Sequence, residues 1–228
     1  MKKASLLFLG IIIVGWVTGI ASADDPFTVG EKWTYKHEGI VPMRPPDFTI
    51  VGDRTREVVA VQGENENKRW LIQEKWGDTD EWAGKQFVSA EKLYDKIAAG
   101  EDRVLNIEPG YPFDYFSLKP GEEKKLEIKF MWGEERSVPI KLTAKRLNDE
   151  TAKVPLGEFQ NCIHVQSDET ISFTGQNGDQ ININTKRELW YHPRVNGLVK
   201  EIYSTTRPDG SENKGTSELK AYSKEKKE

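Results

Sequence analysis

Residues 124–132 read KKLEIKFMW, and this stretch decides the fold class that the sequence predicts. Apolar and charged side chains alternate through its centre in the order Leu126, Glu127, Ile128, Lys129, Phe130. A period of two is typical of a β-strand that has one face on a core and the other in water. A turn at Gly133 and a second apolar stretch at 138–144 follow, so the sequence predicts an antiparallel hairpin here.

The same pattern recurs along most of the chain. Strands are predicted for residues 55–76 as one hairpin and for 159–165, 169–173, 181–185, 198–205 and 216–222. The last two are joined across Asp209 and Gly210, a dipeptide that favours hairpin turns. Helical periodicity is nearly absent after the first residues. We therefore predict an all-β, mainly antiparallel fold, built as a large curved sheet, a β-roll or a half-barrel.

One segment, residues 89–99, has two interpretations. Ser89 is a suitable cap for a helix that carries Leu93 and Ile97 on one face and ends at Gly100. Alternatively, a turn at 90–92 leads into a strand. The helix would be short and marginal in isolation, so the strand or an irregular connection is favoured.

The chain is long enough for one large domain or two small ones. Residues 27–33 (FTVGEKW) resemble 116–123 (FSLKPGEE), with a Gly-Glu pair before a strand in each and an offset of 91 between Gly30 and Gly121. We predict a single domain over 24–223, with possible similar halves at 24–110 and 111–223. Chance is the competing explanation. Residues 108–112 would form the hinge, and 224–228 a charged tail.

The first 23 residues look like an export signal. Lys2 and Lys3 precede an apolar run over 6–20, and Ala21-Ser22-Ala23 fits cleavage before Asp24. An uncleaved N-terminal membrane anchor is the alternative. No cysteine follows the run, which argues against lipid attachment, and no second apolar run suggests a membrane span after cleavage. We expect a bacterial periplasmic or extracellular protein.

The charge balance argues against some partners. The formal charge of the chain is −4. Without Lys2 and Lys3 there are 31 basic and 37 acidic residues, which gives −6. A mildly acidic protein is a poor binder of nucleic acid or of anionic membranes.

Reactive constellations are missing from the sequence. It has no G-x-S-x-G or S-x-x-K motif, and its histidines, at 37, 164 and 192, are too far apart for a short metal-binding motif. We therefore predict no catalytic residues, no metal and no cofactor. Cys162 and His164 are two residues apart and so share a strand face. They are either a thiol–imidazole pair or, as favoured, a buried cysteine beside a partly buried histidine.

Tryptophan is the remaining candidate for binding. Five tryptophans in or beside predicted strands are weak ligand-binding candidates: Trp33, Trp76, Trp82, Trp132 and Trp190. Aromatic side chains can line a ligand site on a curved sheet. They more often fill the core of a β protein, and this is the favoured interpretation.

These features lead to three functional hypotheses. The first is a non-enzymatic β domain that binds or scaffolds an unidentified partner in the cell envelope. The second is a carrier of an apolar or lipid ligand, which requires a closed apolar cavity of about 300 Å³ or more. The third is a hydrolase whose site is assembled from distant residues, such as Asp114 or Glu169 with His164.

Residues 190–200 (WYHPRVNGLVK) resemble a W-Y-x-P-x-x-G-x-V-K pattern of bacterial exported β proteins of unknown function, the group that includes TapB-like proteins. Residues 154–159 (VPLGEF) are similar to a V-P-x-G-x-F segment of the same group. The resemblance implies an all-β exported domain and carries no catalytic residues. Independently of it, Pro193 is expected to end one strand, and Gly197 to permit a tight turn before the next.

Overall fold

The computed structural model describes residues 25–40, 49–77, 84–98, 104–133, 136–175 and 177–224. The predicted signal (1–23), Trp82 and the last four residues of the predicted tail lie outside these ranges. The strands are Lys32–Ile40 (β1), Thr49–Gln62 (β2), Arg69–Trp76 (β3), Gly84–Val88 (β4), Leu93–Ala98 (β5), Val104–Pro112 (β6), Glu123–Trp132 (β7), Arg136–Arg146 (β8), Glu150–Val154 (β9), Gly157–Thr174 (β10), Gln180–His192 (β11), Gly197–Thr206 (β12) and Glu212–Ser223 (β13).

The described strands form one antiparallel sheet that closes on itself. Sequential strands are neighbours from β1 to β8, β8 pairs with β10, and β10 to β13 continue in order until β13 pairs with β1. Because β11 pairs with both β10 and β12, twelve strands complete a barrel. The short strand β9 stands outside the ring and pairs with β10. The all-β antiparallel prediction is confirmed, and the curvature is large enough for full closure.

Alternation of side chains follows the predicted period of two. In β7, Ile128 is buried while its neighbours Glu127 and Lys129 are exposed. In β10, Val165, Ser167, Glu169 and Ile171 are buried on one face. The inward positions therefore include polar and charged residues as well as apolar ones, and this composition shapes the interior of the barrel.

Aromatic side chains fill one end of the barrel. Phe27, which precedes β1, contacts Trp33, Trp70 and Phe113, with ring centroids 6.2, 6.2 and 4.8 Å away. All four side chains are at most 7 % exposed. Packing of this density closes the end at which β1 begins and β6 ends.

Further along the interior, branched aliphatic side chains form a second cluster. It consists of Ile107, Ile128, Ile140, Leu142 and Ile171, each at most 3 % exposed. These residues come from β6, β7, β8 and β10, which lie side by side in the ring. These four of the twelve strands of the ring are therefore strongly apolar at this level.

Three local expectations can be compared with the structure. Residues 93–98 form strand β5 after a turn in which the amide of Ser89 donates to the carbonyl of Leu93 at 2.9 Å, so the favoured interpretation of this segment agrees. The stretches 159–165 and 169–173 belong to one continuous strand, β10. Residues 108–112 lie within strand β6, so the expected hinge there is wrong: Glu108 pairs with β7 and Tyr111 with β5, and Pro109 and Gly110 form a bulge between them.

The turn between β11 and β12 also differs in detail from expectation. Pro193 begins a 3-10 turn and ends β11 as predicted. The left-handed residue is Asn196, at φ 47°, whereas Gly197 already starts β12. A Cβ atom at Gly197 would come within 3.3 Å of Nε1 of Trp33, so a close approach explains this glycine.

Candidate functional site

A cavity of about 340 Å³ lies inside the barrel, and we call it the lumen cavity. Its charged wall consists of Arg54, Arg56, Glu74, Arg187 and Glu201 on β2, β3, β11 and β12, and Glu169 on β10 adjoins it. Its apolar wall comes from β5, β6, β7 and β10 and consists of Ile97, Ile107, Phe130 and Ile171. Apart from Glu169, the charged and the apolar lining residues lie in different halves of the ring, so the cavity is amphipathic.

Strand register brings the first part of the charged wall together. Arg54 is opposite Trp76, and Arg56 is opposite Glu74, across the β2–β3 pair. Arg54 Nη2 donates to Glu74 Oε2 at 2.7 Å, while Arg56 Nε lies 3.8 Å from the same oxygen. Indole Nε1 of Trp76 donates to Glu74 Oε1 at 2.9 Å. One carboxylate therefore serves two guanidinium groups.

The pKa values of this cluster reflect that sharing. Burial opposes ionisation of Glu74, yet Arg54 and Arg56 together hold its pKa below the ordinary value. Burial also opposes the charge of Arg54, but Glu74 more than compensates and raises the pKa of Arg54. Burial and repulsion by Arg54 lower the pKa of Arg56. Arg56 is thus the less well compensated cation of the two.

A second charged cluster comes from β10, β11 and β12. Arg187 Nη1 donates to Glu201 Oε1 at 2.5 Å across the β11–β12 pair. Glu169 on β10 accepts a bond of 2.6 Å from the hydroxyl of Tyr111. Burial opposes the charge of Arg187, but the field of Glu201 outweighs it and raises the pKa of Arg187. Here two carboxylates face one guanidinium.

His37 on β1 lies beside the charged wall. Its Nδ1 is 2.9 Å from the hydroxyl of Ser217, and its Nε2 is 3.5 Å from that of Tyr203. The ring packs edge-on against Trp76 at 4.8 Å. Burial and the nearby Arg54 lower the pKa of His37 to about 4. The imidazole is therefore neutral at pH 7 and adds no charge to the cavity.

Tyrosine hydroxyls complete the polar lining. Burial together with Glu201 raises the pKa of Tyr203 to about 12, and burial raises that of Tyr35, which is not a lining residue and donates to the carbonyl of Leu198, to about 12 as well. Burial and Glu169 also raise the pKa of Tyr111 well above its ordinary value. These phenols remain protonated at neutral pH. They can donate hydrogen bonds, but they are poor bases.

The predicted tryptophans have different locations. Trp76 lines the lumen cavity. Trp33 is in the aromatic end cluster, where its Nε1 donates to the carbonyl of Val195 at 2.7 Å. Trp190 stacks on His164 at 4.5 Å and donates to Glu150 at 3.2 Å. Trp82 and the side chain of Trp132 lie outside the described residues. Among the candidates that are described, only Trp76 faces the cavity.

Sequence reasoning missed the charged wall, although a signal was present. Glu201 falls between Val199 and Tyr203 at the same parity of β12, and Arg187 falls two residues before Leu189 on β11. Each charged residue thus occupies an inward position among buried apolar neighbours. A charge at the apolar parity of a predicted strand indicates a polar interior site, and no other local motif marks these residues.

The residues of the hydrolase hypothesis are not brought together. Glu169 bonds with Tyr111 in the lumen, whereas His164 is an odd number of residues away on the same regular strand and so lies on its other face. His164 lies 3.4 Å from Glu150 and 3.5 Å from Glu188. Asp114 pairs with Lys92 at 2.9 Å. The structure thus contains no acid–base pair among these three residues.

Cys162 is fully buried in the aromatic end cluster. Its thiol donates to the carbonyl of Phe159 at 3.3 Å, and burial raises its pKa. A buried thiol with a raised pKa is a weak nucleophile at neutral pH. Across the described ranges, no group of three or more His, Cys, Asp or Glu side chains could hold a metal ion.

A larger cavity, of about 640 Å³, lies at the end of the barrel near Lys92. The ammonium group of Lys92 is 2.9 Å from Asp114 Oδ2 and 2.9 Å from Asn196 Oδ1. Because these polar groups satisfy one another and the lining comes mostly from turns, this cavity is the weaker candidate. The lumen cavity combines buried charge with an apolar wall, and we take it as the candidate site.

Two solved structures are similar to this chain over most of its length. One is described as a "putative exported protein with YmcC-like fold" from Bacteroides fragilis, at 16 % identity and TM-score 0.46. The other is a "putative lipoprotein" from Parabacteroides distasonis, at 12 % identity and TM-score 0.51. Each alignment covers 87 % of this chain and 98 % of the other. The similarity to the structure from Parabacteroides distasonis shows a shared fold. No family model and no curated protein matches the chain.

In the part of the chain that the structure describes, no helix has the length and apolar character needed to cross a membrane.

Proposed function

We propose that this protein is an exported, non-enzymatic binding protein that holds a small amphipathic molecule in its lumen cavity. The observation that carries the proposal is the division of one interior cavity into a charged wall and an apolar wall. Ligand sites in proteins are mainly apolar with a few placed polar groups, and cavities from about 300 Å³ upward accept small molecules. The cavity meets both conditions.

An entirely apolar ligand fits the lumen less well. Such a molecule would cover Arg56 and Glu74 without supplying a hydrogen bond, and burying charge without a partner is costly. The carrier hypothesis is therefore kept for ligands that have a polar end as well as an apolar one. A scaffolding role toward another envelope protein remains part of the broader hypothesis.

Absence of catalysis is a proposal supported by the chemistry of the lining. The imidazole of His37 has a pKa near 4 and touches hydroxyl and aromatic groups. The nearby phenols keep their protons. A base poised near neutral pH is what general acid–base catalysis needs, and these groups are shifted away from it.

Export is proposed from the leader pattern over residues 1–23, with cleavage before Asp24 and a periplasmic or extracellular destination. The structure of similar fold from Parabacteroides distasonis is described as a "putative lipoprotein", which supports an envelope location. Membership in the exported group that includes TapB-like proteins is likewise a proposal, resting on residues 154–159 and 190–200.

Binding of a neutral fluorescent probe tests the lumen site. N-phenylnaphthylamine is apolar apart from one amine, and its emission rises when it leaves water. We expect saturable binding with one probe per protein. Replacement of Ile97, which lines the apolar wall, by Trp should weaken binding by about tenfold or more by filling the cavity.

The matched control is Ile202→Trp. Ile202 is 40 % exposed and lies on the outer face of β12, opposite to the face that carries Glu201. This variant should bind the probe as the wild type does. Equal binding by Ile97→Trp, with its thermal unfolding intact, would place the probe elsewhere and would overturn the lumen as the binding site.

A further inference from the structure

The two charged clusters of the lumen cavity have formal net charges of opposite sign. Arg54 and Arg56 share the single carboxylate of Glu74. In the other cluster, Glu169 and Glu201 accompany the single guanidinium of Arg187. Formally, the first cluster carries one excess positive charge and the second one excess negative charge. A ligand anion is therefore attracted to the first cluster.

Both arginines of that cluster have a buried Nε without a hydrogen-bond partner among the described residues, and Arg56 is the one whose hydrogen bonds go to neutral groups. Its side chain is 9 % exposed. Its Nη2 donates to neutral acceptors, Gln86 Oε1 at 3.1 Å and the hydroxyl of Tyr94. Nε is buried and has no hydrogen-bond partner among the described residues. A guanidinium has five N–H donors, and leaving buried donors unsatisfied is costly.

Aromatic rings fix the orientation of this guanidinium. Its carbon lies 5.0 Å from the ring centroid of Phe113 and 5.6 Å from that of Tyr94. Both rings also line the lumen cavity. The cationic group is thereby held at the cavity surface before any ligand arrives, which reduces the entropy lost on binding.

We propose that the lumen cavity binds an amphipathic monocarboxylate, with the carboxylate at Arg56 and the hydrocarbon part against the apolar wall. This inference rests on the proposed function and names the chemistry of its ligand. The planar guanidinium matches a carboxylate in shape and hydrogen bonding. A single negative charge neutralises the excess of the Arg54–Arg56–Glu74 cluster. A phosphate dianion would leave an uncompensated buried charge, and it is disfavoured for that reason.

The hydrocarbon part has a defined place. Ile97, Ile107, Phe130 and Ile171 supply the apolar wall, and Ile107 and Ile171 are at most 3 % exposed. The cavity volume of about 340 Å³ is near the lower end of the range for small-molecule sites. A short or medium aliphatic chain, or a single aromatic ring, suits this space better than a long lipid chain.

Three probes that share one chain and differ in the head group test the inference: octanoate, octanol and octylamine. Each is titrated against the N-phenylnaphthylamine complex at pH 7, and displacement gives its Kd. We expect octanoate to bind about tenfold or more tightly than octanol, because hydrogen bonds to charged groups contribute more than neutral ones. Octylamine can be attracted to the Glu169–Arg187–Glu201 cluster, but the carboxylates there already accept hydrogen bonds from Tyr111 and Arg187, so it should bind less tightly than octanoate.

Substitution at Arg56 locates the head group. Arg56→Met should remove the advantage of octanoate and leave octanol binding within about twofold. Arg69→Met is the matched control, since Arg69 on β3 pairs with Asp95 and does not line the cavity. It should keep the preference for octanoate. If Arg56→Met fails to fold, Arg56→Lys replaces it, and a partial loss of the preference is expected.

The outcomes separate this inference from the proposed function. Binding of the neutral probe and of octanol, with no preference for octanoate in the wild type, overturns the carboxylate and leaves the lumen site standing. Stronger binding of octylamine also overturns it. A preference for octanoate that survives in Arg56→Met overturns the role of Arg56. Failure of every probe to bind contradicts the proposed function itself.

Discussion

At the scale of single residues, burial decides what each titratable group in the lumen can do. His37 is 2 % exposed, and its folded-state pKa is about 4 against an ordinary value of 6.5. Above pH 6.5 the imidazole is neutral in both the folded and the unfolded chain. As the pH falls from 6.5 towards 4, only the unfolded chain takes up the proton, so the folded state loses stability.

His37→Gln should reduce this pH dependence. The amide can keep one hydrogen bond to Ser217 but cannot titrate, so the variant should lack up to about 1.4 kcal/mol per pH unit of slope between pH 6.5 and 4. The measurement is urea unfolding at several pH values. Carboxylates such as Glu74 titrate in both proteins, and the difference between the two curves isolates the histidine. Parallel curves in this window would contradict the assignment.

At the same scale, the chemistry of the site was only partly accessible from sequence. Trp76 could be proposed as a lining residue from its type and its predicted strand. Arg56 could not be proposed as a lining residue, because surface arginines on strands are common. Its burial depends on Glu74 and Gln86, which lie far from it along the chain. Unlike that of Glu201 and Arg187, the burial of Arg56 becomes visible only after strand register is known.

At the scale of elements, the two Gly-Glu openings noted in the sequence have the same local geometry. Before β1, the amide of Gly30 donates to Val58 at 2.7 Å, and the amide of Thr28 donates to a carboxylate oxygen of Glu31 at 3.1 Å. Before β7, the corresponding bonds join Gly121 to Arg146 and Lys119 to Glu122.

Before β7, the amide of Gly121 donates to the carbonyl of Arg146 at 3.0 Å. The amide of Lys119 donates to the carboxylate of Glu122 at 2.8 Å. Both glycines have positive φ, at 88° and 79°. This correspondence at an offset of 91 supports the proposal that the chain contains two related halves, since each opening leads into a strand and its hairpin partner.

The two glutamates differ in their surroundings, and this difference predicts different costs of substitution. Glu31 is fully buried, and its Oε1 accepts from Tyr222 at 2.8 Å and from Asn196 at 3.3 Å. Both oxygens of the wild-type carboxylate accept hydrogen bonds, from Thr28 on one side and from Tyr222 and Asn196 on the other. In Glu31→Gln, the donors on one side must face an NH₂ group instead of an oxygen. We expect a loss of about 1–3 kcal/mol in the free energy of unfolding.

Glu122→Gln is the matched control, because Glu122 is exposed and a glutamine oxygen can still accept from Lys119. Its cost should be within about 0.5 kcal/mol. Chemical denaturation of both variants gives the comparison. Equal costs would show that the turn itself, and not the contacts of Glu31 with Tyr222 and Asn196, determines the role of this residue.

Strands were the part of the fold that sequence could predict best. The alternation at 124–132 and the Asp209-Gly210 turn both lead to the hairpins that the structure contains. The hinge at 108–112 failed because Pro109 and Gly110 are accommodated within β6, where a bulge separates the residues paired with Tyr94 and Lys96. Turn-forming residues inside a strand cannot be told from a linker without its neighbours.

At the scale of the whole molecule, closure of the sheet was the least predictable property. It depends on β10 pairing with β8 and β11, and on β13 pairing with β1, contacts between residues up to 191 positions apart. Local patterns determine that a strand forms, but not which strand completes the ring. A curved open sheet and a closed barrel have the same local alternation.

The export proposal also belongs to this scale, and it predicts the mass of the mature protein. The chain recovered from an envelope fraction should begin at Asp24, so its intact mass should equal that of residues 24–228. Substitution of Ala23 by a bulky residue should block processing. Recovery of the full chain in the membrane fraction would instead support the N-terminal anchor.

Strand β9, five residues long, is the place where the otherwise continuous pairing of the described strands stops. Exposed strand edges are the templates on which β proteins stack into fibrils, and Lys153 adds a charge to this short edge. Among the described strands, β9 is therefore the edge at which another copy could extend the sheet, and its short length and charge oppose such pairing at high protein concentration.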